Sequence, residues 1–111
     1  MLYVSADGGI RLTRGDTARL TVAINNDVSG SEYVMKPDDV LTLTIKKSIK
    51  DEVPRLQKTI KGQTTFHIEP NDTADMQFSK YMYDVQLTTS GGDVYTIIEP
   101  TLFEIMPEVT C

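Results

Sequence analysis

"YMYDVQLTTSGGDVYTIIEPTLFEI", residues 81 to 105, is the stretch whose reading decides the fold. Tyr81, Tyr83, Val85 and Leu87 alternate with Met82, Asp84 and Gln86, the period of two that buries one face of a strand and leaves the other in solvent. The Ser90-Gly91-Gly92 tip predicts a tight hairpin between residues 88 and 93, with Gly91 and Gly92 supplying the positive φ angles. Beyond it "DVYTII" and "TLFEI" read as two further strands separated by "EP". The stretch holds no Cys or His and no nucleophile beside a base, so it reads as scaffold rather than reaction centre.

The same alternation recurs upstream. Leu20, Val22 and Ile24 share one face of "ARLTVAIN", and Leu41, Leu43 and Ile45 share one face of "VLTLTIKK". "RLQKTI" and "TTFHIE" continue the series, pointing Leu56, Ile60, Phe66 and Ile68 inward. About seven main strands result, plus short ones at "LYV" and "IRLT", at the spacing of a sandwich or barrel. The fold class expected is all-β: one antiparallel two-sheet immunoglobulin-like sandwich of 7–9 strands over residues 1–111. One helical turn is expected near residues 71–76, "NDTADM", where Pro70 stops a strand and Asn71 or Asp72 caps the first free amides. From Asp72 to Tyr83 the chain resembles the corner of immunoglobulin-like domains, where a short turn leads into a Tyr-x-Tyr strand, but the disulfide of antibody domains is absent.

A length of 111 residues suits one hydrophobic core. The net charge of -5 argues against a nucleic-acid partner. No apolar run approaches the roughly 20 residues of a membrane span, so no membrane insertion is expected. "MLYVSADGG" has neither the basic nor the apolar region of a secretory signal, which predicts synthesis in the cytoplasm. The single cysteine, Cys111, excludes a disulfide within the chain.

Motifs with chemical meaning are few. "RGD" at residues 14 to 16 is an adhesion tripeptide, but Gly-Asp is also an ordinary lead into a strand. Asn71-Asp72-Thr73 matches a glycosylation sequon, and a helix cap explains the same residues. His67 falls on an outward position and makes neither a triad nor a metal cluster. Asp38 with Asp39, and Asp72 with Asp75, could offer oxygens to calcium, yet neither pair has the spacing of a calcium loop and both read as solvated turns. No phosphate-binding glycine loop occurs, so the expectation is a non-enzyme with no cofactor, no catalytic residue and no metal ligand.

Charge is distributed unevenly. Lys46, Lys47, Lys50, Arg55, Lys58 and Lys61 lie within sixteen residues, whereas from Gly62 onward Lys80 stands alone against eight acidic residues. Lysines on an edge hairpin discourage strand-on-strand aggregation. A sharper reading makes these six the candidate protein-interaction residues, a basic edge that meets an acidic face on the next subunit of a homo-oligomer. The polar stretch from Asn25 to Asp39 is the second candidate surface.

"RGDTARLTV", "DDVLTLTIKKS", "IEPNDTADM", residues 81 to 105 and the closing "EVT" together resemble small proteins encoded in the tail-gene regions of phages and prophages of Gram-positive bacteria. They look like the N-terminal immunoglobulin-like domain of phage baseplate upper proteins, over about Arg11 to Thr110. The resemblance implies a virion structural or assembly protein of tail or baseplate, made in the host cytoplasm, carried in the virion, and partnered by other phage structural proteins. Baseplate upper proteins continue into long stalks, whereas this sequence stops at Cys111. The alternative function is an immunoglobulin-like binding module for a cell-surface glycan or protein.

Overall fold

A computed structural model describes residues 2–4 (backbone), 9–24, 33–48 and 50–107. Eight strands and one helical turn follow one another among them: β1 (Leu2–Val4), β2 (Ile10–Thr13), β3 (Ala18–Thr21), β4 (Val40–Lys46), β5 (Leu56–Lys61), β6 (Thr65–Ile68), α1 (Pro70–Thr73), β7 (Lys80–Thr88) and β8 (Val94–Met106). The chain is all-β in character, as its alternation predicts.

A six-stranded sheet runs in the order β1-β2-β8-β7-β4-β5, and β3 pairs with β6 in a second, two-stranded sheet. Leu41, Leu43 and Ile45 of β4 and Tyr81, Tyr83, Val85 and Leu87 of β7 point into one core with Leu20, Val22, Ile24, Phe66 and Ile68. Both sheets therefore contribute side chains to one core. Phe103 packs edge-on against Tyr83, with ring centroids 5.9 Å apart, and the two rings lock β8 to β7.

Three expectations need correction. The large sheet is mixed, because β2 runs parallel to β8 with Ile10 opposite Phe103 and Leu12 opposite Ile105. Alternation fixes which face a residue takes but not the direction of a distant partner, so a wholly antiparallel sheet did not follow from it. The second correction is that "EP" does not divide two strands. Tyr83 faces Thr101 and Val85 faces Ile98, so Glu99 and Pro100 together stand opposite Asp84 as a β-bulge inside one thirteen-residue strand. Proline, having no N–H, is tolerated at such an interruption of the ladder. The third concerns the hairpin, where Gly92 alone takes a positive φ, 91°. Thr89 and Asp93 close that turn through the Thr89 N–H to the Asp93 carbonyl at 2.8 Å.

The helical turn begins one residue earlier than the sequence suggests. Glu69 is its N-cap, Pro70 occupies the first turn where a missing N–H costs nothing, and Asp72 accepts the Glu69 N–H at 2.7 Å. Past this turn, Tyr81 donates its hydroxyl hydrogen to the Gln77 carbonyl at 3.0 Å and so fixes the entry to β7. Among the described residues no helix is long and apolar enough to cross a membrane.

Candidate interaction surfaces

The six basic residues of the β4–β5 region do not share one surface. Leu43 pairs with Lys58 and Ile45 with Leu56, so Lys58 lies on the inner face, where its ammonium meets Asp72 of α1 at 2.7 Å. Lys46 stands on the outer face of the same sheet. Lys61 reaches Asp38 at 3.6 Å, with both side chains well exposed. Lys47 bonds to Ser79 and to the Lys80 carbonyl, and its ammonium sits 5.0 Å from the Tyr81 ring centre. Lys50 and Arg55 are exposed in the loop between β4 and β5, and the Arg55 N–H closes that loop on the Ile45 carbonyl at 2.7 Å.

Among the described residues a different surface lies open on β8. Its C-terminal part, from Phe103 to Met106, is paired on both sides, by β2 and by β7. From Val94 to Leu102 it is paired only with β7 among the described residues. At the start of this open edge Val94 and Tyr95 are 57% and 53% exposed, unusual for neighbouring apolar residues on a strand. Sequence reasoning placed the contact surface on the lysines instead. The signal for β8 was the run "VYTII", which breaks the alternation that a half-buried strand keeps.

Asp39 shows how the long loop before β4 is held. Its side chain is fully buried and accepts three hydrogen bonds, from the Tyr33 hydroxyl at 2.6 Å, the Lys36 N–H at 2.9 Å and the Ser90 N–H at 3.3 Å. The Tyr33 hydroxyl is the main cause that holds the Asp39 carboxyl below its usual range, with Lys36 and Ser90 adding to it against the opposing effect of burial. Reciprocally, that bond, burial and the Asp39 charge push the Tyr33 phenol upward. Asp39 is thus a clamp between the loop and the β7–β8 hairpin. The rest of the Asn25–Asp39 candidate surface, residues 25–32, lies outside the described residues.

The remaining motifs are built into the scaffold. Arg14-Gly15-Asp16 forms the turn between β2 and β3, with Gly15 at φ 83° and its N–H donated to Oγ1 of Thr73 at 2.9 Å. The Arg14 guanidinium lies 4.1 Å from the Phe78 ring centre. Thr73, the last residue of the sequon, is buried. Asp72 serves both Lys58 and the Glu69 N–H, and His67 is exposed on β6 opposite Arg19.

On the outer face of the large sheet Gln57, Thr44 and Asp84 stand side by side on three adjacent strands. Pro54, from the β4–β5 loop, and Pro100, at the bulge, line an open groove of about 350 Å³ there with them. Gln57 Nε2 donates to Thr44 Oγ1 at 3.1 Å. Asp84 makes no hydrogen bond or ion pair with the described residues, and burial raises its pKa, partly offset by the Lys46 charge. No family model matches the chain, and no curated protein or solved structure matches it.

Proposed function

We propose that this chain is an immunoglobulin-like β-sandwich that works without catalysis, as a structural or assembly component of a phage particle, in its tail or baseplate. It is made in the host cytoplasm and then held in the virion by contacts with other phage structural proteins or with copies of itself. Support for the immunoglobulin-like part comes from strand order. The neighbours β8-β7-β4 follow the order of strands G, F and C in such domains, β3 pairs with β6 as B does with E, and the Tyr81 bond to Gln77 resembles their tyrosine corner.

The observation that carries the contact mode is the edge of β8 from Val94 to Leu102, which pairs only with β7 among the described residues. An unpaired strand edge offers a row of backbone donors and acceptors to an added strand, and the exposed Val94 and Tyr95 add apolar area beside it. Support for the particle comes from the resemblance of the sequence phrases to phage tail-region proteins. Induced particles of the source strain, purified on a density gradient and probed for this chain, test the reading. Banding with the tail protein at a fixed ratio is the expected result; recovery only in the soluble fraction overturns it.

A further inference from the structure

The outer-face groove has no part in the contacts proposed above, yet its composition is specific. Thr44 lies directly opposite Gln57 on one side and Asp84 on the other. Strands stand 4.7–4.9 Å apart, so this row extends about 10 Å across the sheet, roughly the length of two pyranose rings. Along the strands it is flanked by Lys46 and Gln86. Each neighbour in the row differs in what it offers: an amide donates and accepts, a hydroxyl does both, a carboxylate only accepts, and the Lys46 ammonium only donates.

Asp84 is the residue that points to a ligand. It is partly buried opposite the Glu99-Pro100 bulge, a feature that re-aims side chains and recurs beside binding sites. Partial desolvation without a hydrogen-bond donor among the described residues is costly for a carboxylate, and an added donor would relieve it. Lys46 interacts with it electrostatically without closing an ion pair. One cation against the two carboxylates of Asp84 and Glu52 leaves the groove a formal charge of −1, which disfavours an anionic ligand and makes a neutral polar ligand or a cation the occupants to be separated by experiment.

We propose that the groove between Pro54 and Pro100 is a saccharide subsite, in which Asp84, Gln57 and Gln86 hydrogen-bond the hydroxyls of a neutral oligosaccharide and the two prolines face its C–H surfaces. Each hydroxyl donates and accepts, so one ligand satisfies carboxylate, amides and ammonium together. The one aromatic residue along the groove, Tyr83, buries its ring in the core against Phe103, so no ring stacks on a sugar and binding is weak, in the millimolar range.

The test is a titration of the ¹⁵N-labelled full chain with maltotriose, cellotriose and triacetylchitotriose, each to about 20 mM, followed by amide chemical shifts. Saturable shifts at Thr44, Gln57, Asp84 and Gln86 with at least one trisaccharide are expected. Asp84→Leu, on the outer face, and Gln57→Ala, at an exposed position, should each weaken that binding about tenfold while the spectrum stays folded. Absence of saturable groove shifts with all three overturns the proposal. So does equal binding by both variants, or a response to agmatine alone, which would make Asp84 a subsite for a cationic side chain. No phage particle enters this experiment, so its failure and that of the assembly reading are separate.

Discussion

Tyr33 donates its hydroxyl hydrogen to Oδ2 of Asp39 at 2.6 Å, inside a site from which the Asp39 side chain has no exposure. The same carboxylate accepts the Ser90 N–H from the β7–β8 hairpin, so one ionised group ties the loop before β4 to the base of the open β8 edge. Its folded-state pKa lies below 3.8, the usual value, so its contribution to stability is present above that value and is lost as pH falls through the lower folded pKa. Tyr33 has the opposite sign. Its folded pKa lies above 10.0, and the stability linked to the neutral phenol is lost as pH rises through that raised value. Thermal unfolding from pH 7 to pH 2 should therefore show a shallower acid loss in Asp39→Asn than in the wild type. Parallel curves would mean that the clamp is not ionised in the folded protein.

The turn at Gly15 depends on Thr73. Replacement by valine keeps the shape of the buried side chain but leaves the Gly15 N–H without its acceptor, at a cost of about 1–3 kcal/mol. Thr73→Ser retains the hydroxyl and should cost clearly less of that bond. Urea midpoints of the two variants check the order.

Gly62 sits at φ 68° between β5 and β6, and a Cβ there would lie 3.1 Å from the Pro37 carbonyl oxygen. Gly62→Ala should lose about 1–2 kcal/mol from the left-handed backbone alone, before that contact adds to it. A neutral result in urea denaturation would contradict the turn geometry.

Lys58 and Asp72 form a pair across the inner edge of the sheet, partly shielded at 27% and 19% side-chain exposure. A double-mutant cycle with Lys58→Met and Asp72→Asn should give a coupling of about 0.5–1 kcal/mol that shrinks in high salt. Charge reversal at Lys58 should therefore disturb folding. Reversal at Lys50 and Arg55, both exposed in their loop, should leave the unfolding midpoint within about 0.5 kcal/mol of wild type.

Much of this architecture was legible because β4 and β7 keep strict alternation, and all seven of the inward residues it assigns to them are buried. Asp39 was legible too, though it read as a solvated turn: counting back by two from Leu41 places it on the core face. The parallel pairing of β2 with β8 was not, because it joins segments some ninety residues apart and leaves no local pattern. Pro100 misled for a physical reason, since a proline that normally ends a strand is harmless where a bulge already interrupts the ladder. The division of the basic cluster depends on the same parity. Twelve residues separate Lys46 from Lys58, yet the intervening loop puts them on opposite faces of one sheet.

The measurement that bears most directly on the assembly account is photo-crosslinking from Tyr95 in intact particles, with p-benzoylphenylalanine placed at that position. A cross-link from purified virions to another tail or baseplate protein, or to a second copy of this chain, is the predicted result. Particles that contain the chain but give no product from position 95, while the same residue placed at Lys50 does cross-link, would contradict the β8 edge as the contact. Particles that lack the chain altogether would contradict the virion role itself.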